Sequence, residues 1–327
     1  IWHKWESSST WISGFFLLIW IYYFSSDLYL IDPAVRQISP YAAALLGIGS
    51  LVLGWVVYDQ LCKSRLARNE VALAAVGFGF IILMAWLFQQ VFSGRGALIH
   101  IGALMATIMS ANVAINIIPN QKKVIADLLA GRDPNPDYGN QAKTRSSHNN
   151  YMTLPVLFLM ICGHYPLTYS TPYAWVIVGL VLVAGGVVRH FYNERHAGRA
   201  DPWWTWGLAA ACIAVAIWVS MLGSAAGRAK LGLAPVKPAR VAAVAKLPQD
   251  VDDIILTRCS MCHARAPVWA GLASPPKGIL LETPDQIVSA AHEIKLQSVM
   301  TKSMPPNNIT QMTQDERGVL AAWLARL

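Results

Sequence analysis

The residues whose types and spacing could do chemistry lie near the C-terminus, in Arg258-Cys259-Ser260-Met261-Cys262-His263. The spacing C-x-x-C-H is an attachment signature for c-type haem: two thiols form thioethers to the vinyl groups, and the adjacent imidazole becomes an axial ligand of the iron. A low-spin electron-transfer haem needs a sixth ligand. Ser303-Met304-Pro305-Pro306 offers the thioether of Met304 on a turn stiffened by two prolines. Met300 lies one helical turn away and is the second choice, while Met261 sits inside the attachment loop and cannot reach across the ring. The competing chemistry for C-x-x-C is a zinc or redox pair, but no second Cys pair follows and a His is adjacent. The sequence therefore predicts one covalent haem c on Cys259 and Cys262, its iron held by His263 and Met304.

The elements that carry this site are mostly apolar. Of 327 residues, 55% are hydrophobic and 13% charged, and the charged share is about half that of soluble domains. The composition predicts an integral membrane protein. Its fold class is all-α: a polytopic transmembrane helix bundle followed by a small α-helical cytochrome c domain. Seven apolar stretches, at 9–26, 42–58, 71–92, 97–118, 150–166, 173–191 and 203–223, approach or reach the about 20 residues a helix needs to cross a core about 30 Å thick. The net charge of +8 does not describe a nucleic-acid surface, because Lys and Arg are scattered over short connections. It describes topology. Connections 59–70, 119–149 and 192–202 carry ten Lys and Arg, Arg145 among them, whereas 27–41, 93–96 and 167–172 hold only Arg36 and Arg95. By the positive-inside rule the first set is cytoplasmic. Seven crossings then put the C-terminus outside, the side on which covalent haem c is assembled, so the expected location is the bacterial inner membrane with a periplasmic cytochrome c domain. The chain opens on Ile1, and Trp2-His3-Lys4-Trp5 reads as an interfacial lead into a span, so a segment upstream is expected.

Composition also divides the chain into 1–223, a transmembrane helical domain; 224–248, an Ala/Pro/Lys/Arg-rich tether; and 249–327, the cytochrome c domain. In the last, Val251 to Leu256 begins an amphipathic helix that leads into the Cys pair. Thr283-Pro284-Asp285-Gln286 and Thr313-Gln314-Asp315-Glu316 are capping boxes, the first opening a helix that runs to about Ile294. Val319, Leu320, Trp323, Leu324 and Leu327 make one apolar face, expected to pack across the helix before the Cys pair. Around Pro275 and Pro276 a loop carbonyl could accept the Nδ1 proton of His263 and fix that ligand's orientation; a plain turn is the alternative.

Anchoring a cytochrome takes one span, so seven imply work of their own. Ionisable and amide side chains at membrane depth are costly and mark sites. Here they are His100, Asn112, Asn116, His148, Asn149, Asn150, His164, Arg189 and His190. Gly77, Gly79, Gly185 and Gly186 read as close-packing positions. The expected topology puts His148 and His190 on the cytoplasmic side and His100 and His164 on the outer side. His148 and His164 are 16 residues apart, roughly 24 Å along a helix, and cannot serve one centre. Each layer either clamps an additional b-type haem or simply hydrogen-bonds a neighbouring helix.

Four blocks carry a family likeness: "HKWESSSTWISGFFLLIWIYYFSSDLYLIDP", "RSSHNNYMTLPVLFLMICGHYP", "RHFYNERHAGRADPWWTWG" and "PPKGILLETPDQI…MPPNNITQMTQDER". Together they resemble the membrane-bound urate oxidases, in which an eight-span domain is fused to a C-terminal cytochrome c. The resemblance implies an eighth span upstream of Ile1. It also implies oxidation of urate to 5-hydroxyisourate, with electrons passed to the cytochrome and then to a respiratory acceptor, a soluble cytochrome c or a terminal oxidase, without hydrogen peroxide. Urate is a monoanion at neutral pH, so its site needs a fixed cation and amide or hydroxyl partners. Arg189, His190, His148, Asn149 and Asn150 offer that set on the cytoplasmic side, with His148 the first choice of base; His100, His164 and Tyr165 form an alternative outer site. Two other functions compete. One is an electron-transfer cytochrome c subunit of a larger dehydrogenase or oxidase complex; the other is a transporter or sensor with a haem switch, for which Pro155 and Pro166 would break the fifth span.

Overall fold

The computed structural model describes residues 2–24, 26–32, 35–169, 171–222, 247–270, 272, 274–300 and 302–327. Its described residues are helical or irregular, with no strand among them. Contacts divide the chain into two compact units, Ile1–Gly223 and Ser224–Leu327. Apart from Leu247 and Pro248, the tether expected at 224–248 lies outside the described residues.

In the first unit the long helices are α1 (Trp2–Leu18), α2 (Pro40–Lys63), α3 (Glu70–Gln89), α4 (Gly94–Ala111), α5 (Ile118–Leu129), α6 (Pro136–Ile161), α7 (Ala174–His196) and α8 (Trp204–Met221). The wide turn Asn112–Ile117 joins α4 to α5 in one continuous helix. Five helices, α2, α3, α4 with α5, α7 and α8, are long and apolar enough to cross a membrane. Their outward faces carry apolar side chains such as Leu45 and Val71, 74% and 79% exposed, which only a lipid or protein environment would cover without cost. α1 and α6 pack with these five.

The sequence placed the fifth span at 150–166. The helix instead runs from Pro136 to Ile161, and its start is local chemistry: Asn135 caps the Asp137 amide (2.9 Å), Pro136 follows at the first position, and Asp137 adds an acidic group to the first turn. Residues 119–149 are thus mostly helical, and Arg145 sits well inside a helix. α6 also continues through Pro155 without breaking. Pro155 packs against α7 at Gly185, where an added Cβ would lie 2.6 Å from its Cδ. Gly77, Gly79 and Gly186, expected at close contacts as well, have open space where a Cβ would go.

α4 is the central helix: Leu98, Ile101, Leu104, Met105 and Ile108 are all fully buried. α2 runs parallel to it, since Gly47 meets His100, Gly54 meets Leu104 and Tyr58 meets Asn112. α6 runs antiparallel, because Gly102 abuts Leu159 while Asn112 reaches Asn149. These registers decide which polar side chains meet.

In the second unit, α9 (Gln249–Arg258), α10 (Pro284–Ser289) and α11 (Gln314–Leu324) enclose a small core of Val251, Ile255, Ile287, Leu320 and Trp323. Both capping boxes form, with Thr283 and Thr313 each accepting from the third residue's amide. α11 packs on α9, as its apolar face predicts. The helix expected to run from Pro284 to Ile294 is instead interrupted at Ala290 and continues as Ala291–Ile294 and a wide turn, Lys295–Met300.

Candidate functional site

A buried polar network forms in the first unit where α2, α4 and α6 converge. Asp59 and Arg145 are 4% and 5% exposed. Arg145 Nη2 donates to Asp59 Oδ1 (2.7 Å) and Nη1 to Asn112 Oδ1 (3.2 Å), and the guanidinium lies 5.0 Å from the centre of the Tyr58 ring. Lys63 Nζ approaches the other Asp59 oxygen at 2.5 Å. Asn112 Nδ2 donates to the Tyr58 hydroxyl and to Asn149 Oδ1 (3.0 Å each), and Asn149 Nδ2 donates to the Met109 carbonyl. The Tyr58 hydroxyl and His148 Nδ1 are 2.7 Å apart. This network collects three of the expected residues, Asn112, His148 and Asn149. Among the described residues, His148 Nε2 has no hydrogen-bond partner.

Asn150, Arg189 and His190 face elsewhere, on the α6–α7 seam. Arg189 Nε donates to Asn150 Oδ1 (2.7 Å), and the Tyr151 hydroxyl is 3.1 Å from His190 Nδ1. Arg145 is neutralised by Asp59, whereas Arg189 has no carboxylate partner among the described residues. The expected cytoplasmic set is therefore two adjacent groups: a closed network around His148 and an open cation at Arg189.

His100 lies twelve residues before Asn112 on α4, about 18 Å along the axis. Both of its ring nitrogens are engaged, Nδ1 with the Gly96 carbonyl (2.8 Å) and Nε2 with the Tyr23 hydroxyl (3.1 Å). Phe92 packs 4.7 Å from the ring centre. Gly47 makes the arrangement possible, since a Cβ there would stand 2.6 Å from the Tyr23 hydroxyl. His164 is exposed on the turn Cys162–His164, its Nδ1 3.1 Å from the Ile161 carbonyl. The outer pair thus occupies two different environments. A groove of about 290 Å³, lined by Trp11, Ile12, Thr107, Ser110 and Ala111, opens between α1 and α4, and no residue of the polar network lines it.

In the second unit Cys259 and Cys262 stand on one turn, with the Cys262 and His263 amides both directed at the Cys259 carbonyl (3.2 and 3.0 Å). His263 Nδ1 is 3.1 Å from the Ile279 carbonyl, and its own carbonyl accepts from the Leu281 amide (2.8 Å). The expected loop carbonyl exists, three residues beyond Pro276. It holds the Nδ1 proton and leaves Nε2 as the donor atom. Burial keeps the imidazole below its usual range and hence neutral, against the opposite pull of the Ile279 bond. Burial also pushes the Cys259 thiol up to about 12, which suits a thiol that becomes a thioether better than a thiolate ligand. Among the described residues no three His, Cys, Asp or Glu group as a metal set. Two free thiols on one turn and an oriented neutral imidazole fit a covalent haem.

The family model described as Urate oxidase N-terminal matches residues 1–220. The chain belongs to the urate oxidase N-terminal family. No curated protein and no solved structure is significantly similar to it. Membership marks this urate oxidase relative as an enzyme and suggests urate oxidation; the helices suitable for crossing a membrane suggest a multi-pass membrane protein. The whole polar network lies inside the matched urate oxidase region, and the C-x-x-C-H unit lies beyond it.

Sequence reasoning missed Tyr58, Asp59 and Arg145. Arg145 was counted among loop charges, and Asp59 lay at the edge of a span. The signal that could have found Arg145 is Asn135-Pro136-Asp137, a helix start ahead of it.

One titration follows from the second unit. Burial would raise the Glu316 carboxyl, but Arg258 (2.9 and 3.0 Å to Oε1) and the Thr313 amide (2.6 Å to Oε2) hold it below the usual range. A depressed folded value means that the stabilisation is complete above the ordinary value of about 4.3 and disappears as pH falls through the lower one. Arg258 precedes Cys259, so acid should loosen the α9–α11 contact first. Circular dichroism or limited proteolysis across pH 6 to 2 is expected to show an acid transition that Glu316→Gln flattens; an identical transition in that variant refutes the assignment.

Proposed function

We propose that the chain is a membrane-bound oxidoreductase that oxidises urate to 5-hydroxyisourate in its first unit. Electrons pass to its own haem c and then to a respiratory acceptor, a soluble cytochrome c or terminal oxidase, without hydrogen peroxide. The observation that carries this reading is the urate oxidase N-terminal match over residues 1–220 in a chain whose next folded unit presents C-x-x-C-H with its imidazole oriented. In this reading α1 and α6 join the five apolar helices as spans. Seven crossings leave residues 249–327 on the periplasmic side of the bacterial inner membrane, after a tether at 224–248.

The chain's own residues have distinct tasks. Arg189, lacking a carboxylate, holds the urate monoanion, and Asn150 beside it supplies amide contacts. The base that takes a ring proton is either His190, on the α6–α7 seam with Arg189, or, for a urate seated on the α2 face of α6, His148 Nε2. For His148 that role requires the Nδ1 proton to be donated to the Tyr58 oxygen, which already accepts from Asn112 and so is fixed in place. The reaction balances as urate plus water giving 5-hydroxyisourate, two electrons and two protons, with water adding at C5 once the ring has been oxidised. A bound haem c supplies a one-electron acceptor, so the two electrons leave singly. Cys259 and Cys262 attach it, His263 presents Nε2, and Met304 presents its thioether.

Anaerobic titration of the purified full chain with urate tests the reading. One c-type haem per chain, by pyridine haemochrome, should become reduced, and no peroxide should form when an acceptor is added. A haem reduced by quinol but never by urate would replace this reading with that of an electron-transfer subunit.

A further inference from the structure

The second unit contains a buried cation to which the steps above assign no task. Arg317 on α11 is 6% exposed. Its guanidinium is bonded only to uncharged oxygens: Nη1 donates to the carbonyls of Ser298 and Met304 (the latter 3.0 Å), and Nη2 to Asn308 Oδ1 (3.4 Å). No carboxylate pairs with it among the described residues. Glu316, its neighbour in sequence, is turned to Arg258 and the Thr313 amide. A buried ion without a counter-charge is costly, and packing α11 on the core needs only an apolar side chain at this position.

What the cation touches suggests why it is there. Its three acceptors sit at three points of one segment: Ser298 in the wide turn Lys295–Met300, Met304 in the loop that follows, and Asn308 closing the turn Pro306–Asn308 at φ 52. Asn308 is itself tied forward, donating to the Met312 carbonyl (3.0 Å). The guanidinium therefore joins the two ends and the middle of the segment that carries Met304.

We propose that Arg317 is the positioning residue of the haem c site: it fastens the Met304 segment to α11 and places a fixed positive charge beside the Met304 carbonyl that favours the ferrous state. The reason for the second effect is that oxidation adds a positive charge to the iron, which a neighbouring cation opposes. This inference rests on the haem c reading above.

The test uses the full chain in detergent, with haem content measured by pyridine haemochrome, ligation by the weak near-infrared charge-transfer band of ferric iron and thioether, and the midpoint potential by redox titration. Met304→Ala provides the reference spectrum without a thioether. Arg317→Met should keep its covalent haem, lose most of that band, and shift the reduction equilibrium at least about tenfold toward the ferric form, about 59 mV for one electron. Arg317→Lys, which keeps the charge, should hold the equilibrium within about threefold while the band weakens. Asn308→Ala removes one acceptor and keeps the cation, so its band should disappear at lower temperature than in the unmodified chain; this variant decides the matter if Arg317→Met does not fold. An unchanged band and potential in Arg317→Met, or an unchanged melting of the band in Asn308→Ala, overturns the proposal. A chain without covalent haem overturns it together with the haem c reading, whereas a normally ligated haem that urate cannot reduce overturns only the urate assignment.

Discussion

Replacing Asp59 by Asn is expected to destabilise the first unit by about 3–5 kcal/mol, because the change removes one charge of a buried pair and leaves the other. Arg145, 5% exposed, would keep a neutral amide on one side and the Tyr58 ring on the other, with no carboxylate to offset its charge. Lys63 would lose its partner too, at less cost, since its side chain is 61% exposed. Thermal unfolding in detergent, with the monodisperse fraction on size exclusion, measures the effect. Arg145→Gln alone should be less damaging, because Asp59 keeps Lys63 at 2.5 Å as its counter-charge. The double variant Asp59→Asn with Arg145→Gln should recover much of the loss, since two amides of similar length can bond each other. Single variants that melt like the unmodified chain would show that the pair contributes nothing net.

For a urate seated on the α2 face of α6, His148→Ala is expected to lower urate oxidation by about 10²–10⁴-fold, the range for removing a positioned general base, while leaving covalent haem content unchanged. Tyr58→Phe should lower it less, and by a different route: the imidazole stays but loses the hydroxyl 2.7 Å from Nδ1 that fixes its tautomer. The two variants are separable in the pH dependence of kcat/KM. His148→Ala should abolish the limb that reports the base, whereas Tyr58→Phe should displace it. Arg189→Ala serves as the contrast, with a raised KM and a smaller change in kcat if it holds the anion. Near-normal turnover by His148→Ala would transfer the role of base to His190, which has the same kind of partner in Tyr151 at 3.1 Å.

How much of this was legible depended on range. The capping boxes at Thr283 and Thr313 are written within four residues, and both form as read. The carbonyl partner of His263 was anticipated to within a few residues, because the loop after an attachment motif has few other places to go. The pairing of Asp59 with Arg145 spans 86 positions and depends on three helices sharing one crossing, so no local pattern contains it. Here positive-inside counting also concealed the answer: it treats every Lys and Arg between spans as a solvated charge, and Arg145 is a core residue. The same limit explains why His148 and Arg189 were grouped together. Their helices are adjacent, but His148 turns toward α2 and Asn150 toward α7, so one apparent site resolves into two faces of α6.

The carbonyl of Ile279 has a consequence for how the protein matures. Because that carbonyl and the Leu281 amide grip His263 from both sides, the imidazole surrenders its rotational freedom when the second unit folds, before any porphyrin arrives. The entropy of orienting the ligand is then a cost of folding and no longer a cost of ligation. On the haem c reading, a chain that folds first would meet its cofactor with one ligand already aimed, whereas a chain modified while still extended would have to find that aim afterwards.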